Sequence, residues 1–236
     1  MSDFEQLWPG GPVFRQAAHF RLGTDSVLLA DFVRGGVHRR GVDLGCASGA
    51  LMLLLARDAR LHMTGLELVE DAAVLARENL EANSLGPRSE IVCGDLRAHR
   101  TLFAAGSFDL VVANPPYYPV GSGGVSPDPD RAAARGELSC TLEDVCTAAA
   151  FLCRTGGSVC LVHKPERLSE LLCALTAHAV EPKRLRLVCP RAESAPSLVL
   201  VEGRRGGRPG LTVEPPLLLQ SADGTESEEV RRIYHR

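Results

Sequence analysis

Aromatic residues make up only 5% of this 236-residue chain, which has a single tryptophan. A core poor in rings and rich in Ala, Leu and Val suits helices packed on a parallel sheet. There is no basic excess either: 26 Lys and Arg stand against 29 Asp and Glu, a net charge of −3. Strong nucleic-acid binders usually carry such an excess, so any role of that kind must rest on charge gathered locally. The eight cysteines include no C-x-x-C pair and no histidine at metal-ligand spacing, so no metal is expected. Most lie in apolar runs such as Ser158–Val162, where a thiol acts as a small hydrophobe. The opening Met1-Ser-Asp-Phe-Glu5 lacks the basic and apolar regions of a signal peptide. No apolar run approaches the length of a membrane span. We expect a cytoplasmic protein with no membrane partner, folded as a single α/β domain over residues 1–236.

What the chain does contain is an ordered series of strand ends. Phe108–Ala113 is an apolar, β-favouring run of the kind that forms a buried strand. Asn114-Pro115-Pro116-Tyr117 follows it, and the two prolines cannot continue a ladder. The chain must leave the sheet at its carboxyl edge, where open α/β sheets place ligands. An amide oxygen, outward carbonyls and a flat ring together suit a planar amino group. Upstream, Arg40–Leu44 reads as a strand running through Asp43 into a loop with Gly45 and Gly49, then a helix over Ala50–Ala56. The spacing G-x-x-x-G is wrong for a dinucleotide fingerprint. His62–Glu67 and Glu90–Asp95 are further strands ending in an acid, with a helix over Val69–Asn83 between them. Asp43, Glu67, Asp95 and Asn114 thus follow four successive strands and belong along one edge. Gly23-Thr24-Asp25 precedes a helix through Val33; Thr24 or Asp25 is its expected cap, and Gly23 leaves room for a ligand.

Residues 121–135 are rich in Gly, Ser, Pro and Asp and read as a mobile loop, either linker or substrate lid. Arg131 or Arg135 would take a phosphate in the second case. A helix over Leu142–Arg154, a strand over Gly157–His163 and a helix opening at Lys164 come next. His163 reads as a residue closing a strand rather than as a catalytic base. Lys183–Pro190 and Ser197–Glu202 form an antiparallel pair. Between 183 and 208 seven basic residues, Arg204, Arg205 and Arg208 among them, face only Glu193 and Glu202. Such a cluster in an acidic chain points to a phosphate-facing patch. Ser227–Tyr234 suits a short amphipathic helix.

Asn114-Pro-Pro-Tyr117 resembles the signature of amino-directed S-adenosylmethionine methyltransferases, and Asp43-Leu-Gly-Cys-Ala-Ser-Gly49 is similar to the first motif of the class I enzymes. Ala47 stands where that motif usually has glycine. Together with Phe20-Arg-Leu-Gly-Thr-Asp25, and with His163–Leu168 and Glu181–Arg186, these stretches resemble the bacterial valine-tRNA adenine-N6 methyltransferases over nearly the whole chain. The resemblance implies a Rossmann-like, mostly parallel seven-stranded sheet with an antiparallel closing hairpin and helices on both faces. It implies S-adenosyl-L-methionine held by Phe20, Gly23, Thr24, Asp25, Asp43, Gly45, Gly49, Glu67, Asp95 and Asn114, with residues 1–38 as a cover. Asn114, Pro115, Pro116 and Tyr117 would act on adenine at position 37 of a tRNA. Tyr117, Tyr118, Arg135, Arg204, Arg205 and Arg208 would contact that RNA, bound by a monomer. The same chemistry on a ribosomal guanine or a release-factor glutamine stays open, as does a non-catalytic cofactor- or RNA-binding module. The glutamine enzymes carry a helical domain ahead of the core, and only about forty residues precede Asp43 here.

Overall fold

The computed structural model describes residues 4–16, 22–35, 37–115 and 140–235. A short hairpin, β1 (Glu5–Gln6) and β2 (Val13–Phe14), leads to α1 (Thr24–Phe32). The alternating core follows: β3 (Arg40–Leu44), α2 (Ala50–Leu55), β4 (His62–Glu67), α3 (Glu70–Ala82), β5 (Ser89–Cys93), α4 (His99–Leu102) and β6 (Phe108–Ala113). After it come α5 (Leu142–Leu152), β7 (Cys153–His163), α6 (Leu168–Ala177), β8 (Val180–Cys189) and β9 (Leu198–Arg205). Two-residue strands β10 (Thr212–Val213) and β11 (Leu217–Leu218) and the helix α7 (Glu228–Ile233) end the described chain.

The main sheet runs β10-β8-β9-β7-β6-β3-β4-β5, with β11 also on β8. Its seven longer strands match the expected architecture, and β10 and β11 add two short edge pairings. Strand β9 is antiparallel to both β7 and β8, so it alone among the longer strands is reversed. Every residue of β6 is buried. Leu110 and Val112 face one core, with α1, α2, α3 and α7; Val111 and Ala113 face the other, with α5 and α6. Period-two alternation in an apolar strand therefore serves two layers at once.

Several boundaries differ from the sequence reading. Gly23, with no side-chain cap, precedes α1, and Thr24 and Asp25 fall inside the helix. Strand β7 begins at Cys153 rather than Gly157, because Cys153 already pairs with Phe108 before the register shifts. Strand β8 begins at Val180 and accommodates Pro182 through an irregularity between Pro182 and Arg184, where a missing N–H costs no ladder bond. Burial pushes the thiols of Cys146 and Cys153 up to about 12, which leaves them inert apolar filling.

Two asparagines on α3 hold the segment after β2. Asn83 Oδ1 accepts from Val13 N–H at 2.8 Å, and its Nδ2 donates to Val13 C=O at 2.7 Å. Asn79 repeats the pattern with Arg15, at 2.8 and 3.0 Å, and also donates to Ser48 C=O at 2.9 Å. Four helical residues rise about 6 Å and two extended ones about 6.6 Å, so two carboxamides can stand in for a strand edge. Asn79 is fully buried and ties the N-terminal segment to the loop after β3. Asn79→Ala leaves three backbone groups without that partner and is expected to cost about 2–3 kcal/mol. A lower urea midpoint with an unchanged slope checks it.

Candidate active site at the carboxyl edge

The strand order reverses between β3 and β6: β4 and β5 lie to one side, β7 to the other. At that point the connections diverge and leave a crevice above the strand ends. A cavity of about 190 Å³ lies there, lined by Leu22, Ser26, Asp43, Gly45–Ser48, Ala50, Leu51 and Asn114. The two motifs on β3 and β6, separated by about seventy residues, meet because their strands are paired neighbours, Asp43 beside Val112.

The loop after β3 is wound tightly. Gly45 and Gly49 have φ of +77° and +81°, and Ala47 has φ of +47°. The left-handed region costs a residue with a Cβ about 1–2 kcal/mol, so Ala47 needs a tether. Glu67 provides it: its Oε2 accepts from Ala47 N–H at 2.8 Å and its Oε1 from Val69 N–H at 2.9 Å. Gly45 and Cys46 N–H donate to Leu66 C=O. Glu67 is buried at the end of its strand. It holds the loop and the start of α3 in one grip.

Asp43 is buried and faces the cavity. Desolvation, then the neighbouring Glu67, pushes its carboxyl up to about 8. No cation pairs with it among the described residues. Asn114 Nδ2 donates to Ser26 Oγ on α1 at 3.2 Å. Asp95 sits farther along the edge, where Arg97 binds both its oxygens, Nε donating to Oδ1 at 3.0 Å and Nη2 to Oδ2 at 2.6 Å, and holds its carboxyl below the usual range. Leu68, exposed between Glu67 and Asp95, offers an apolar face at the rim. His163 is buried with a lowered pKa, chiefly from desolvation, and its Nδ1 accepts from Lys164 N–H at 2.8 Å.

The structure thus brings Asp43, Gly45 and Asn114 to one cavity, with Gly49 opening α2 just behind it. Gly23, Thr24 and Asp25 lie in the turn that carries Leu22 and Ser26 to that wall. Ser26, Leu22 and Asn79 escaped the sequence reading. Ser26 is one small polar residue in a helix start, and nothing in the chain marks its partner 88 positions away. Phe20, Pro116, Tyr117, Tyr118, Arg131 and Arg135, and the loop 121–135, fall outside the described residues.

The basic patch lies apart from the cavity at its β9 end. Arg204 pairs with Ser158 in the ladder, level with Leu110 rather than Ala113, and so lies about 13 Å back along the strands from Asn114. Arg204 donates to Gly156 C=O and Arg205 to Ala150 and Ala179 C=O. Arg208 follows on the same side. Arg184 is buried between Glu202 and Glu214, and Arg186 pairs with Glu229. Of these basic residues Arg184 is buried, while Arg191, Arg204 and Arg208 stay exposed.

A methyltransferase-domain family model matches residues 42–121. Over 215 residues the chain is 33% identical to the tRNA1(Val) (adenine(37)-N6)-methyltransferase of Tolumonas auensis, covering 89% of this chain and 86% of that one. The chain belongs to this family. The Aeromonas salmonicida member is 30% identical over 218 residues, 91% and 89% of the two chains. Among solved structures, a predicted O-methyltransferase of Agrobacterium tumefaciens superposes with a TM-score of 0.71 at 22% identity, over 90% of this chain and 96% of that one. A geranyl diphosphate methyltransferase in complex with S-adenosylmethionine gives 0.57 at 16% identity, over 76% and 84%. These last two establish the shared fold of the family.

Asp43 sets a pH test. An acid whose folded pKa exceeds its unfolded value holds its proton more tightly when folded. Its contribution is therefore fully present at low pH and is lost as pH rises from about 4 towards about 8. Asp43→Asn is expected to shrink the fall in unfolding free energy between pH 5 and pH 8. Urea titrations at the two pH values measure it, and an unchanged fall would place the effect elsewhere.

Proposed function

We propose that this chain transfers the methyl group of S-adenosylmethionine to the exocyclic N6 amine of adenine 37 in the anticodon loop of a valine tRNA, in the cytoplasm. The observation that carries the reading is Asn114 at the end of β6, sharing one cavity with Asp43 and the loop after β3. The names of the relatives supply the RNA and the position. The donor set fits the cofactor: a buried carboxyl with no cation partner among the described residues lies beside a tightly wound loop. A ligand with positive charge would relieve the cost of ionising Asp43.

When bound, S-adenosylmethionine supplies a methyl already activated on a sulfonium. The chain's own task is to position the acceptor and place charge around it. Asp43 and the loop after β3 would hold the methionine end. Glu67 keeps the loop in shape and would meet the ribose hydroxyls. Asp95 would take the adenine amino group of the cofactor, sharing its carboxylate with Arg97. Asn114 Oδ1 and the Pro115 carbonyl accept the two N6 hydrogens of the substrate, which favours a pyramidal nitrogen and restores its lone pair. The proton leaves after transfer, so His163 is not required as a base. Flipping adenine out of its stack is compensated by Tyr117, worth about 1–3 kcal/mol of stacking, with Phe20 or Tyr118 opposite. Arg135 takes a phosphate. Arg204, Arg205 and Arg208 would contact the RNA away from the reacting base, Arg204 lying about 13 Å back along the strands from Asn114.

Labelled-methyl transfer to fractionated tRNA, followed by nucleoside analysis, tests the reading. N6-methyladenosine confined to one valine isoacceptor is the expected product. Methylguanosine in ribosomal RNA, or label on a release-factor glutamine, would reassign the substrate. Stabilisation by the cofactor with no transfer to any of these would make the chain a binding module. Asn114→Ala is expected to lower turnover about 10²–10³-fold, the usual loss for one preorganised charge-placing group, while cofactor affinity changes little. Near-normal turnover in that variant would remove Asn114 from the acceptor role.

A further inference from the structure

We propose that Ser26 is a positioning residue for Asn114, holding its carboxamide so that the oxygen, and not the nitrogen, meets the substrate amine. This rests on the methyl-transfer reading above and adds to it a residue from another element. Asn114 Nδ2 donates to Ser26 Oγ at 3.2 Å, and both residues line the cavity that holds Asp43.

A carboxamide has two ends of nearly equal shape and opposite hydrogen-bonding sense. Only the oxygen end can accept from an amine; the nitrogen end would set hydrogens against hydrogens. A substrate amine donating to Oδ1 therefore requires an acceptor on the far side of the group, facing Nδ2. Ser26 Oγ, a hydroxyl able to accept as well as donate, stands there as the acceptor from Nδ2. The bond also acts on the electronics: a chain running from amine to Oδ1, and from Nδ2 to Oγ, polarises in one direction, so donation to Ser26 strengthens Oδ1 as an acceptor. Ser26 occupies the first turn of α1, which starts at Thr24. The segment that opens with Gly23 is thereby joined to the end of β6, and the wall of the cavity and the acceptor group come into register together.

The test uses Ser26→Ala and Ser26→Thr in the full chain. Single-turnover methyl transfer to tRNA is expected to fall about tenfold in Ser26→Ala, the loss of one aligned hydrogen bond. Cofactor affinity should stay within about twofold. Ser26→Thr keeps an oxygen at the same place and should recover the rate to within about threefold. A loss seen in cofactor affinity instead of rate, or equal losses in both variants, would overturn the proposal, as would a full rate in Ser26→Ala. The Asn114 side-chain NH2 resonances, identified by their absence in Asn114→Ala, give a readout that needs no substrate. They should exchange faster with solvent in Ser26→Ala than in the unmodified chain, and equal exchange would remove the contact. Should the unmodified chain methylate no adenine, the function fails while the resonances still decide whether Ser26 holds Asn114.

Discussion

The Glu67 carboxylate, buried at the end of β4 and bonded to the amides of Ala47 and Val69, is the constraint on which the site is built. One oxygen holds the loop that follows β3; the other holds the entry to α3. Charge-assisted bonds to backbone N–H groups are among the stronger ones a protein makes, and here they keep a non-glycine residue in the left-handed region. Asp43 lies beside Glu67. Desolvated, and then opposed by the Glu67 charge, its carboxyl is pushed up to about 8. The pocket thus pairs one amide-bonded carboxylate with one carboxyl that stays neutral below about pH 8.

The two edges of the sheet have separate duties. At the carboxyl edge the strand order reverses, and the ends of β3 and β6 open onto one cavity with the first turn of α1. At the other edge Arg204 and Arg205 tie strands and helix ends together through carbonyls. Arg184 lies over the Phe32 ring at 3.9 Å and bonds Glu202, fastening α1 to the sheet. Of the basic residues between 183 and 208, Arg184 is buried in the fold and Arg191, Arg204 and Arg208 stay exposed. Asn79 and Asn83 contribute a further layer, since they hold the residues after β2 against α3 and, through Ser48, against the cofactor loop.

The local pattern of the chain was enough for the strand and helix series from Arg40 to Ala113, for the glycine loop at Gly45 and Gly49, and for Asn114 at a strand end. Those features follow from nearest-neighbour chemistry: apolar runs form buried strands, prolines end them, and glycines take positive φ. Tertiary structure alone decided that Glu67 turns inward, that Arg97 covers Asp95, that Ser26 meets Asn114, and that Arg184 of β8 is buried over Phe32. Each of these depends on which strand lies beside which and on which amide is left needing a partner. Contacts between groups tens of residues apart are set by sheet order and register, and no period or motif in a single chain encodes them.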